Sequence, residues 1–435
     1  MKKLIPVFYK NYGKYINAFR AIPYVRDGCK PVERRVLLSA YEIARNKTIK
    51  SARLDGHVIG HYHPHGSVYG TIVNLVHQGF LDGQGNFGTK IGVEPLGAAA
   101  SRYTEVKLSE LTKKLAFKYI DYVDYEESEL DPEPKYLPTM IPFSLLGETY
   151  TIGLGFGYRT VIPVYELKDL IRRLLFLLKK RKEIVIKPKS HGCEIIEEKS
   201  DIYDLLKKGQ GKITYKGKYK TIPSKYLVEL YSWPPHLTFE NILNKLNLSD
   251  EIAYRDISSS GKTVVLFEII KKRNRDDIFN RFIKNLDEAI TDSFSYEMNF
   301  VDDNYNIIQM GVDDILLITF ENYKKIIEKM AKSMIDKYIK EYNELELLMK
   351  IRPYLRNYMK NNSIEEVDEV AAFISSELKI PIDTILNILN KYKISKLFKH
   401  KDLKEVEDKI KHYTNILNNI DDTAIEEYME VMDGS

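Results

Sequence analysis

Apolar residues recur every three or four positions over two stretches near the C-terminal end of the chain. Residues 312–352 contain no glycine or proline, and the apolar seam there comprises Ile327, Ala331, Met334, Tyr338, Leu345 and Leu348. A second seam comprises Leu403, Val406, Ile410, Tyr413 and Leu417. This spacing predicts a long helix in a coiled coil, with a second helix that returns antiparallel to it. Between the seams, residues 367–378 and 384–391 predict two compact helices.

The middle of the chain changes to a strand-like pattern. Residues 213–215 and 219–221 are β-formers on either side of Lys-Gly-Lys, which predicts a hairpin, and residues 264–270 predict a further strand. A helical pattern over residues 276–288 follows. Strands and helices alternating in this way predict an α+β module.

The N-terminal part predicts two short helices. Residues 32–45 are amphipathic and follow Pro31, which suits a first helical turn. Ser67 can cap a second helix that continues to about residue 78, where Gly79 ends it. Two short helices with a basic lead-in and glycine-rich loops are typical of a helix-turn-helix or winged-helix unit.

Length and composition narrow the class of protein. A chain of 435 residues with 44% hydrophobic content is expected to form two or three folded domains. The longest apolar runs fall well short of the roughly 20 residues that a membrane span needs. The only cysteines, Cys29 and Cys193, offer neither a disulfide framework nor a metal cluster. We therefore expect a cytoplasmic protein with no membrane partner.

Charge is distributed unevenly along the chain, although the net charge is only +4. Residues 1–54 carry thirteen Lys or Arg against three acids, a local balance of +10 that suits a polyanion. Five of the nine histidines fall within residues 57–77. Residues 121–133 carry seven acids and no base. Because such a segment repels phosphate, we expect it to point away from any bound nucleic acid.

The strongest candidate for chemistry is the run Ala-Ala-Ala-Ser-Arg-Tyr-Thr-Glu at residues 98–105. It places Tyr103 beside Arg102 in a loop of small residues that a large polymer can approach. A phenol has an ordinary pKa of about 10, so forming a phenolate at neutral pH costs roughly 4 kcal/mol. The guanidinium of Arg102 can stabilise both the phenolate and a phosphoryl transition state. One Arg-Tyr pair is a weak signal, because the chain contains 31 tyrosines.

Further polar motifs strengthen the assignment of Tyr103 and Arg102 as candidate catalytic residues. Tyr-His-Pro-His-Gly occupies residues 62–66, Leu-Asp-Gly-Gln-Gly-Asn-Phe-Gly occupies residues 81–88, and residues 20–35 contain the run Val-Arg-Asp-Gly-Cys-Lys-Pro-Val-Glu-Arg-Arg. In order and spacing, these segments resemble the breakage-reunion (A-type) subunit of type IIA DNA topoisomerases, the gyrase and topoisomerase IV family. The match is close over residues 20–163 and looser in the C-terminal helices. The compact length resembles the short subunit of large-phage topoisomerases.

This resemblance implies a multidomain α+β fold with three parts. Residues 1–125 are expected to form a winged-helix DNA-gate domain that carries the active-site tyrosine. Residues 126–315 are expected to form an α+β tower domain with a DNA-bending wedge. Residues 316–435 are expected to form the coiled-coil stalk and a helical C-gate dimerisation domain.

The resemblance also implies a role for each matching residue. Tyr103 would attach to the 5′ phosphate of a cleaved strand, with the 3′ hydroxyl as leaving group, and Arg102 would stabilise the transition state. Lys30, His63 and His65 match positions that contact DNA near the scissile phosphate. Arg20, Arg34 and Arg35 match contacts to the phosphate backbone. Ile152 matches a wedge residue that inserts between base pairs and bends the duplex.

Magnesium and ATP are expected to come from another polypeptide. The sequence has no Asp-x-Asp-x-Asp pattern and no glycine loop with the flanks of a nucleotide site, so no metal ligand is assigned to this chain. The resemblance implies a homodimer on double-stranded DNA, joined at the DNA gate and the C-gate. A B-type subunit with the ATPase site and an acidic TOPRIM magnesium site would complete a heterotetramer. For a phage-encoded protein the compartment would be the host cytoplasm.

Some positions depart from the family pattern. Glu33 stands where the family usually has a histidine, which puts one DNA contact in question. Gly70 replaces the usual acid, which predicts weak anchoring of quinolone drugs. Thr151 replaces a common glycine beside the wedge. Because the chain stops at Ser435 without a DNA-wrapping domain, we expect ATP-dependent relaxation and decatenation more than negative supercoiling.

Two alternatives remain at this point. A tyrosine recombinase or type I enzyme also uses Tyr and Arg, but it needs a dispersed set of arginines and leaves a 3′ phosphotyrosine. A DNA-binding scaffold with a relic site would bind DNA without cleaving it.

Overall fold

The computed structural model describes residues 12–13, 15–89, 92–196, 199–259, 262–361, 367–391 and 403–434. The chain separates into two compact units. One unit comprises the described residues up to Tyr323 together with those from Ile425 onward, and the other comprises residues 324–424. The prediction of an α+β protein is confirmed. In the described part of the chain, no helix is both long enough and apolar enough to cross a membrane.

The α-helices of the described residues are α1 (Pro31–Ile43), α2 (Ser51–His61), α3 (Tyr69–His77), α4 (Glu110–Ala116), α5 (Leu167–Leu177), α6 (Lys199–Lys208), α7 (Phe239–Leu246), α8 (Arg275–Ala289), α9 (Val312–Asn361), α10 (Val367–Leu378), α11 (Ile382–Lys391), α12 (Leu403–Asn418) and α13 (Ile420–Asp433). The strands are β1 (Ile49–Lys50), β2 (Leu81–Gln84), β3 (Glu105–Leu108), β4 (Tyr125–Glu126), β5 (Glu133–Pro134), β6 (Thr151–Leu154), β7 (Arg159–Ile162), β8 (Glu194–Ile196), β9 (Gln210–Lys216), β10 (Tyr219–Ile222), β11 (Leu227–Leu230), β12 (Ile252–Asp256), β13 (Val265–Ile269), β14 (Thr291–Glu297), β15 (Asn299–Val301) and β16 (Ile307–Gln309).

Helices α1, α2 and α3 lie with a small antiparallel sheet in the order β1-β3-β2. Val36 and Ala40, one turn apart on the apolar face of α1, are fully buried. Helix α1 begins at Pro31, as predicted, and the carboxylate of Glu33 accepts from the backbone N–H of Lys30 at its N-terminus. Three helices and a three-stranded sheet are the elements of a winged helix. The assignment of a winged-helix domain stays a prediction.

Helix α2 is an element that the sequence pattern did not predict. Gly56 and Gly60 interrupt its helical signal, because glycine lowers helix propensity. Leu54 and Val58, one turn apart, are nevertheless fully buried. Tertiary packing of this short apolar stripe therefore stabilises the helix where local propensity does not.

Two larger antiparallel sheets follow, in the strand orders β6-β7-β14-β9-β8 and β10-β11-β13-β12. The second sheet shares a core with α7 and α8, in which Leu230, Phe267, Ile242 and Leu286 are buried. Strand β13 and helix α8 agree with the predicted strand at 264–270 and the predicted helix at 276–288.

The predicted hairpin over residues 213–221 is wrong. Strand β9 pairs with β14 and β8, whereas β10 pairs with β11, so the two segments belong to different sheets. Gly217 lies between them, and a Cβ there would be 2.3 Å from the carbonyl oxygen of Ser232. The glycine thus permits a close crossing of backbones instead of a hairpin turn.

The long helix predicted from residue 312 is present as α9, which continues through Pro353 to Asn361. In the unit of residues 324–424, Leu345 and Leu348 of α9 share a core with Ile374, Ile385 and Val406. The rings of Tyr338 and Tyr413 stack with centroids 5.8 Å apart. The two predicted seams therefore contain helices at the expected positions. The description as a coiled coil and a C-gate, and the domain limits 125/126 and 315/316, stay predictions.

Candidate active site and nucleic-acid interface

Tyr103 lies near the end of the loop that joins β2 to β3. We define the last part of this loop, residues 98–104, as the tyrosine loop. The backbone N–H of Tyr103 donates to the carbonyl of Ala100 at 2.8 Å, which closes a tight turn. The N–H of Ala99 donates to the carbonyl of Asn86 at 2.9 Å. The loop is therefore tied to the end of β2 before it turns back into β3.

The start of α2 holds the other side of the tyrosine loop. The N–H of Ser51 donates to the carbonyl of Thr104 at 2.9 Å, and the N–H of Ala52 donates to the carbonyl of Ser101 at 3.2 Å. These donors belong to the first turn of a helix, whose N–H groups have no partner within the helix. The helix that the sequence pattern missed thus supports the candidate nucleophile.

The side chain of Tyr103 is 65% exposed. Its hydroxyl is accessible to a large substrate, as a phosphate-attacking tyrosine requires. The guanidinium of Arg102 lies over the Tyr103 ring, 4.6 Å from the centroid. The cation is thus adjacent to the phenol but stacked on its face, an arrangement stabilised by the ring quadrupole.

His63, His65 and Arg35 form a second group. Nη1 of Arg35 is 3.1 Å from Nδ1 of His63, and the rings of His63 and His65 are 5.1 Å apart. A guanidinium can only donate, so Nδ1 of His63 accepts and the proton of the neutral ring is on Nε2. Burial, followed by repulsion from Arg35, His65 and Arg20, lowers the pKa of His63. At neutral pH His63 is therefore a neutral donor through Nε2–H.

The acidic segment of residues 121–133 lies against this group, whose side chains are the expected DNA contacts. Asp131 is 2.6 Å from Nδ1 of His61, and Glu129 is 3.4 Å from Nε2 of His65. Glu133 accepts from Nη2 of Arg35 at 2.6 Å and from Nε at 2.8 Å. The segment pairs with cationic and histidine side chains, since these neutralise its charge. DNA phosphates would have to compete with these carboxylates.

Lys30 and Ile152 meet at a third place. Nζ of Lys30 donates to the carbonyl of Ile152 at 2.7 Å. The Ile152 side chain is 44% exposed on β6, although isoleucine is usually buried. A Cβ at the neighbouring Gly153 would lie 2.2 Å from the carbonyl oxygen of Ala21. The glycine therefore lets β6 lie directly against the backbone that follows Arg20, while Ile152 faces outward.

The structure contradicts the assignment of Arg34 as a phosphate contact. Arg34 is 8% exposed and Asp27 is fully buried. Nε of Arg34 donates to Oδ2 of Asp27 at 2.6 Å, and Nη2 donates to Oδ1 at 3.2 Å. Asp27 also accepts from the N–H groups of Cys29 and Leu137. Arg34 therefore stabilises the interior, because its charge is already neutralised by a buried carboxylate.

Glu33 has a structural role that its departure from the family pattern did not suggest. Its carboxylate accepts from the backbone N–H of Lys30 at 2.9 Å, at the N-terminus of α1. Burial raises the pKa of Glu33. The sequence signal for this role was a glutamate three residues after Lys30, with Pro31 at the first helical position between them.

The Arg102–Tyr103 pair has no direct polar contact, within the described residues of one chain, with the side chains expected to bind DNA. Among the residues that the structure describes, no hydrogen bond or ion pair joins Arg102 or Tyr103 to Lys30, His63, His65 or Arg35. Arg20 is exposed and lies close enough to His63 to affect its pKa. Over the same described ranges, no group of three or more His, Cys, Asp or Glu side chains is arranged to hold a metal ion.

Comparison with known proteins gives one family. The family model for the A-type subunit of DNA gyrase/topoisomerase IV matches residues 20–429. The chain is 27% identical to the A-type subunit of DNA gyrase from Thermotoga maritima over 372 residues, 79% of this chain and 45% of that protein. It is 29% identical to the A-type subunit of DNA topoisomerase 4 from Haemophilus influenzae, covering 78% of this chain and 49% of that protein. It is 30% identical to the A-type subunit of DNA gyrase from Campylobacter fetus, covering 90% and 44%. The chain thus spans less than half the length of these curated relatives.

Proposed function

The chain belongs to the family of A-type subunits of DNA gyrase and topoisomerase IV, and on that premise we propose that it is the DNA-cleavage subunit of an ATP-dependent type IIA topoisomerase. It makes a transient double-strand break and passes a second duplex through it. The observation that carries this proposal is the exposure of Tyr103, at 65%, in a loop fixed by the backbone of β2 and α2.

The reaction exchanges one phosphate ester for another. The phenolic oxygen of Tyr103 attacks phosphorus, the O–P bond to tyrosine forms, and the bond to the 3′ oxygen of the neighbouring nucleotide breaks. The phenol loses its proton to water, and the 3′ oxygen takes one up as it leaves. Since one phosphodiester is consumed and one is formed, the step is close to reversible, and resealing needs no further energy source.

Arg102 stabilises the charge that develops on the transferred phosphoryl group. Its guanidinium is already adjacent to the ring of Tyr103. A small rotation of an exposed side chain brings the fork onto a phosphate oxygen. Phosphoryl transfer depends mainly on positioning and charge neutralisation, which an adjacent arginine supplies.

DNA contacts come from the second and third groups of residues. His63 donates through Nε2–H, and His65, Lys30, Arg20 and Arg35 supply contacts to the phosphate backbone. Such contacts position the duplex without reading its sequence. Arg34 is not among them.

Ile152 acts as the wedge that bends the duplex. An exposed isoleucine on a strand whose backbone is held by Lys30 and by the close approach at Gly153 is suited to insertion between base pairs. The bent duplex then makes more contacts with the protein.

Assembly follows the family. We propose a homodimer through a DNA gate and a C-gate, so that two Tyr103 side chains cleave opposite strands, and a heterotetramer with a B-type subunit that supplies ATP hydrolysis and Mg²⁺. In this proposal residues 1–125 are the winged-helix cleavage domain, residues 126–315 the tower, and residues 316–435 the coiled coil and C-gate.

The test is cleavage by the chain reconstituted with a B-type partner, ATP and Mg²⁺. Covalent protein–DNA complexes should be trapped with the wild type and should be absent with Tyr103→Phe, while DNA binding is retained. Tyr254→Phe removes another exposed phenol, on β12, and should cleave normally. Binding without any trapped complex would favour a non-catalytic scaffold, and a 3′ phosphotyrosine would favour a recombinase or type I enzyme.

A further inference from the structure

The hydroxyl of Tyr69 contacts both ends of the tyrosine loop, at Ala99 and at Thr104. Tyr69 is the first residue of α3, and its side chain is half-buried. Its hydroxyl donates to the carbonyl of Ala99 at 2.6 Å and lies 3.0 Å from Oγ1 of Thr104. Ala99 precedes the turn that carries Tyr103 and Thr104 follows it. A single phenol group therefore spans the base of this turn.

Thr104 continues the contact into the interior. Its Oγ1 is 2.8 Å from Oγ of Ser51, and both Thr104 and Ser51 are fully buried. The carbonyl of Thr104 also accepts from the N–H of Ser51. The hydroxyls of Tyr69, Thr104 and Ser51 thus form a continuous row from the loop to the start of α2. In a buried row each hydroxyl depends on its neighbours, because water is not available to replace a lost partner.

The position of Tyr69 is itself fixed. The carboxylate of Asp55, on α2, accepts from the N–H of Val68 at 2.7 Å and from the hydroxyl of Ser67 at 2.7 Å. The N–H of Tyr69 donates to Oγ of Ser67 at 3.3 Å. The start of α3 is therefore bound to α2. Tyr69 links this rigid pair of helices to the tyrosine loop.

We propose that Tyr69 is a positioning residue for the nucleophile Tyr103, a role that rests on the proposed DNA-cleavage function. Its hydroxyl fixes the distance between Ala99 and Thr104, on either side of the turn. It thereby fixes the direction in which the side chain of Tyr103 points. Tyr69 does not touch the reacting atoms. It acts by restricting the loop to the conformations in which the phenolic oxygen can meet a phosphate in line.

The main variant is Tyr69→Phe, which removes one hydroxyl and keeps the ring. Under single-turnover conditions with the B-type partner and Mg²⁺, the rate of covalent complex formation at saturating DNA should fall about tenfold, the effect of losing one hydrogen-bond partner at a buried site. The DNA concentration that gives the half-maximal rate should stay unchanged, because no DNA contact is removed. A general loss of structure would change both quantities.

A second measurement does not depend on cleavage of DNA. Trypsin can cut after Arg102, which is exposed within the tyrosine loop. Native-state proteolysis of the Arg102–Tyr103 bond, followed by mass spectrometry, should be about tenfold faster in Tyr69→Phe, because local opening of the loop has lost one hydrogen bond. The matched control is Tyr219→Phe on β10 of the second large sheet, which removes a phenol that donates to Asp287 on α8. It should change neither the cleavage rate nor the proteolysis at Arg102.

A second pair of variants covers the case in which Tyr69→Phe does not fold. Thr104→Val removes the hydroxyl that lies 3.0 Å from Tyr69, and Thr104→Ser retains it. We expect Thr104→Val to behave like Tyr69→Phe, and Thr104→Ser to restore slow proteolysis and most of the cleavage rate. Wild-type proteolysis at Arg102 in both Tyr69→Phe and Thr104→Val would overturn the positioning role. Failure of the wild type to form a covalent complex would instead refute the proposed function, and the proteolysis result would still decide the role of Tyr69.

Discussion

At the scale of single residues, the candidate site places the proposed nucleophile and the proposed DNA contacts in different groups of side chains. Tyr103 and Arg102 are exposed on one loop. His63 lies in the second group, where Arg35 fixes its tautomer. The chemistry of each residue thus depends on a specific neighbour, and replacing that neighbour changes a measurable property.

His63 gives a pH prediction. In the free protein, burial and the nearby guanidinium of Arg35 lower the pKa of His63 below the ordinary histidine value of 6.5. A bound phosphate stabilises the imidazolium, so the pKa in the complex is higher than in the free protein. DNA affinity should therefore increase as the pH falls through the higher pKa of the complex and should level off below the lowered pKa of the free protein. The measurement is the dissociation constant of a short duplex between pH 8 and pH 5.

The control for this prediction is His63→Gln, which keeps a donor without a titrating group. Its affinity should depend less on pH than that of the wild type. His65 and the carboxylate of Glu129 lie beside His63 and are left unchanged in this variant. An identical pH profile in the variant would show that His63 does not contact phosphate.

Asp27 gives a stability prediction. Asp27→Asn leaves the guanidinium of Arg34 in the interior without its carboxylate, so the free energy of unfolding should fall by about 3–5 kcal/mol. Urea unfolding measures this change. Asp169→Asn breaks an exposed pair with Arg172 and should cost less than about 1 kcal/mol. Equal effects of the two variants would contradict the assignment of Arg34 to the interior.

At the scale of elements, the site depends on contacts between segments far apart in sequence. Helix α2 supports the tyrosine loop, and strand β6 lies against the backbone at Ala21. Ala21 is far from Gly153 along the chain, and their close approach positions Ile152. The position of Ile152, the proposed wedge, thus depends on two segments and not on β6 alone.

Gly153→Ala tests this contact. The new Cβ would lie 2.2 Å from the carbonyl oxygen of Ala21, so one of the two backbones must move. We expect the free energy of unfolding to fall by about 1–3 kcal/mol, the range for overpacking, and DNA bending measured by energy transfer between labelled duplex ends to decrease.

Gly60→Ala is the matched control for that variant. Gly60 lies in α2 with no atom within 4 Å of a new Cβ. Alanine there should stabilise the protein by about 0.5–1 kcal/mol, because it restricts the unfolded chain and favours the helix. A neutral effect of Gly153→Ala on both stability and bending would contradict the account of the wedge.

The sequence predicted elements whose signal is local and periodic. Helices α1, α8 and α9 agree with the apolar spacing from which they were predicted, because one face of each must be buried. The hairpin at residues 213–221 was wrong, since short β-forming segments on either side of a glycine do not specify their partners. Helix α2 was missed for the converse reason, because its stability comes from tertiary contacts of Leu54 and Val58.

The candidate site was predictable in its reactive residues and not in its supports. The Arg-Tyr pair in a small-residue loop indicated Tyr103 only together with the other polar motifs, because the chain contains 31 tyrosines. The sequence did not show that Arg34 is buried and Arg35 is not. Neighbouring residues on a helix point in different directions, but the partner that buries Arg34 is known only from the structure. The link from Tyr69 to Ala99 joins positions 30 residues apart and is visible only in three dimensions.

At the scale of the whole molecule, two compact units carry different parts of the proposed activity. The larger contains the tyrosine loop, the histidine group and the wedge strand, and residues 324–424 form the other. The acidic segment is part of the larger unit and is paired there with His61, His65 and Arg35. If these side chains bind DNA as proposed, phosphate groups must replace the carboxylates that pair with them here.

The central claim is that Tyr103 becomes covalently attached to a 5′ phosphate. The most direct measurement is mass spectrometry of peptides from complexes trapped on DNA labelled at either end, formed with the B-type partner, ATP and Mg²⁺. We predict a nucleotide adduct on the peptide that contains Tyr103, with the label showing attachment to the 5′ side of the break. An adduct on another residue, or attachment to the 3′ side, would contradict the account.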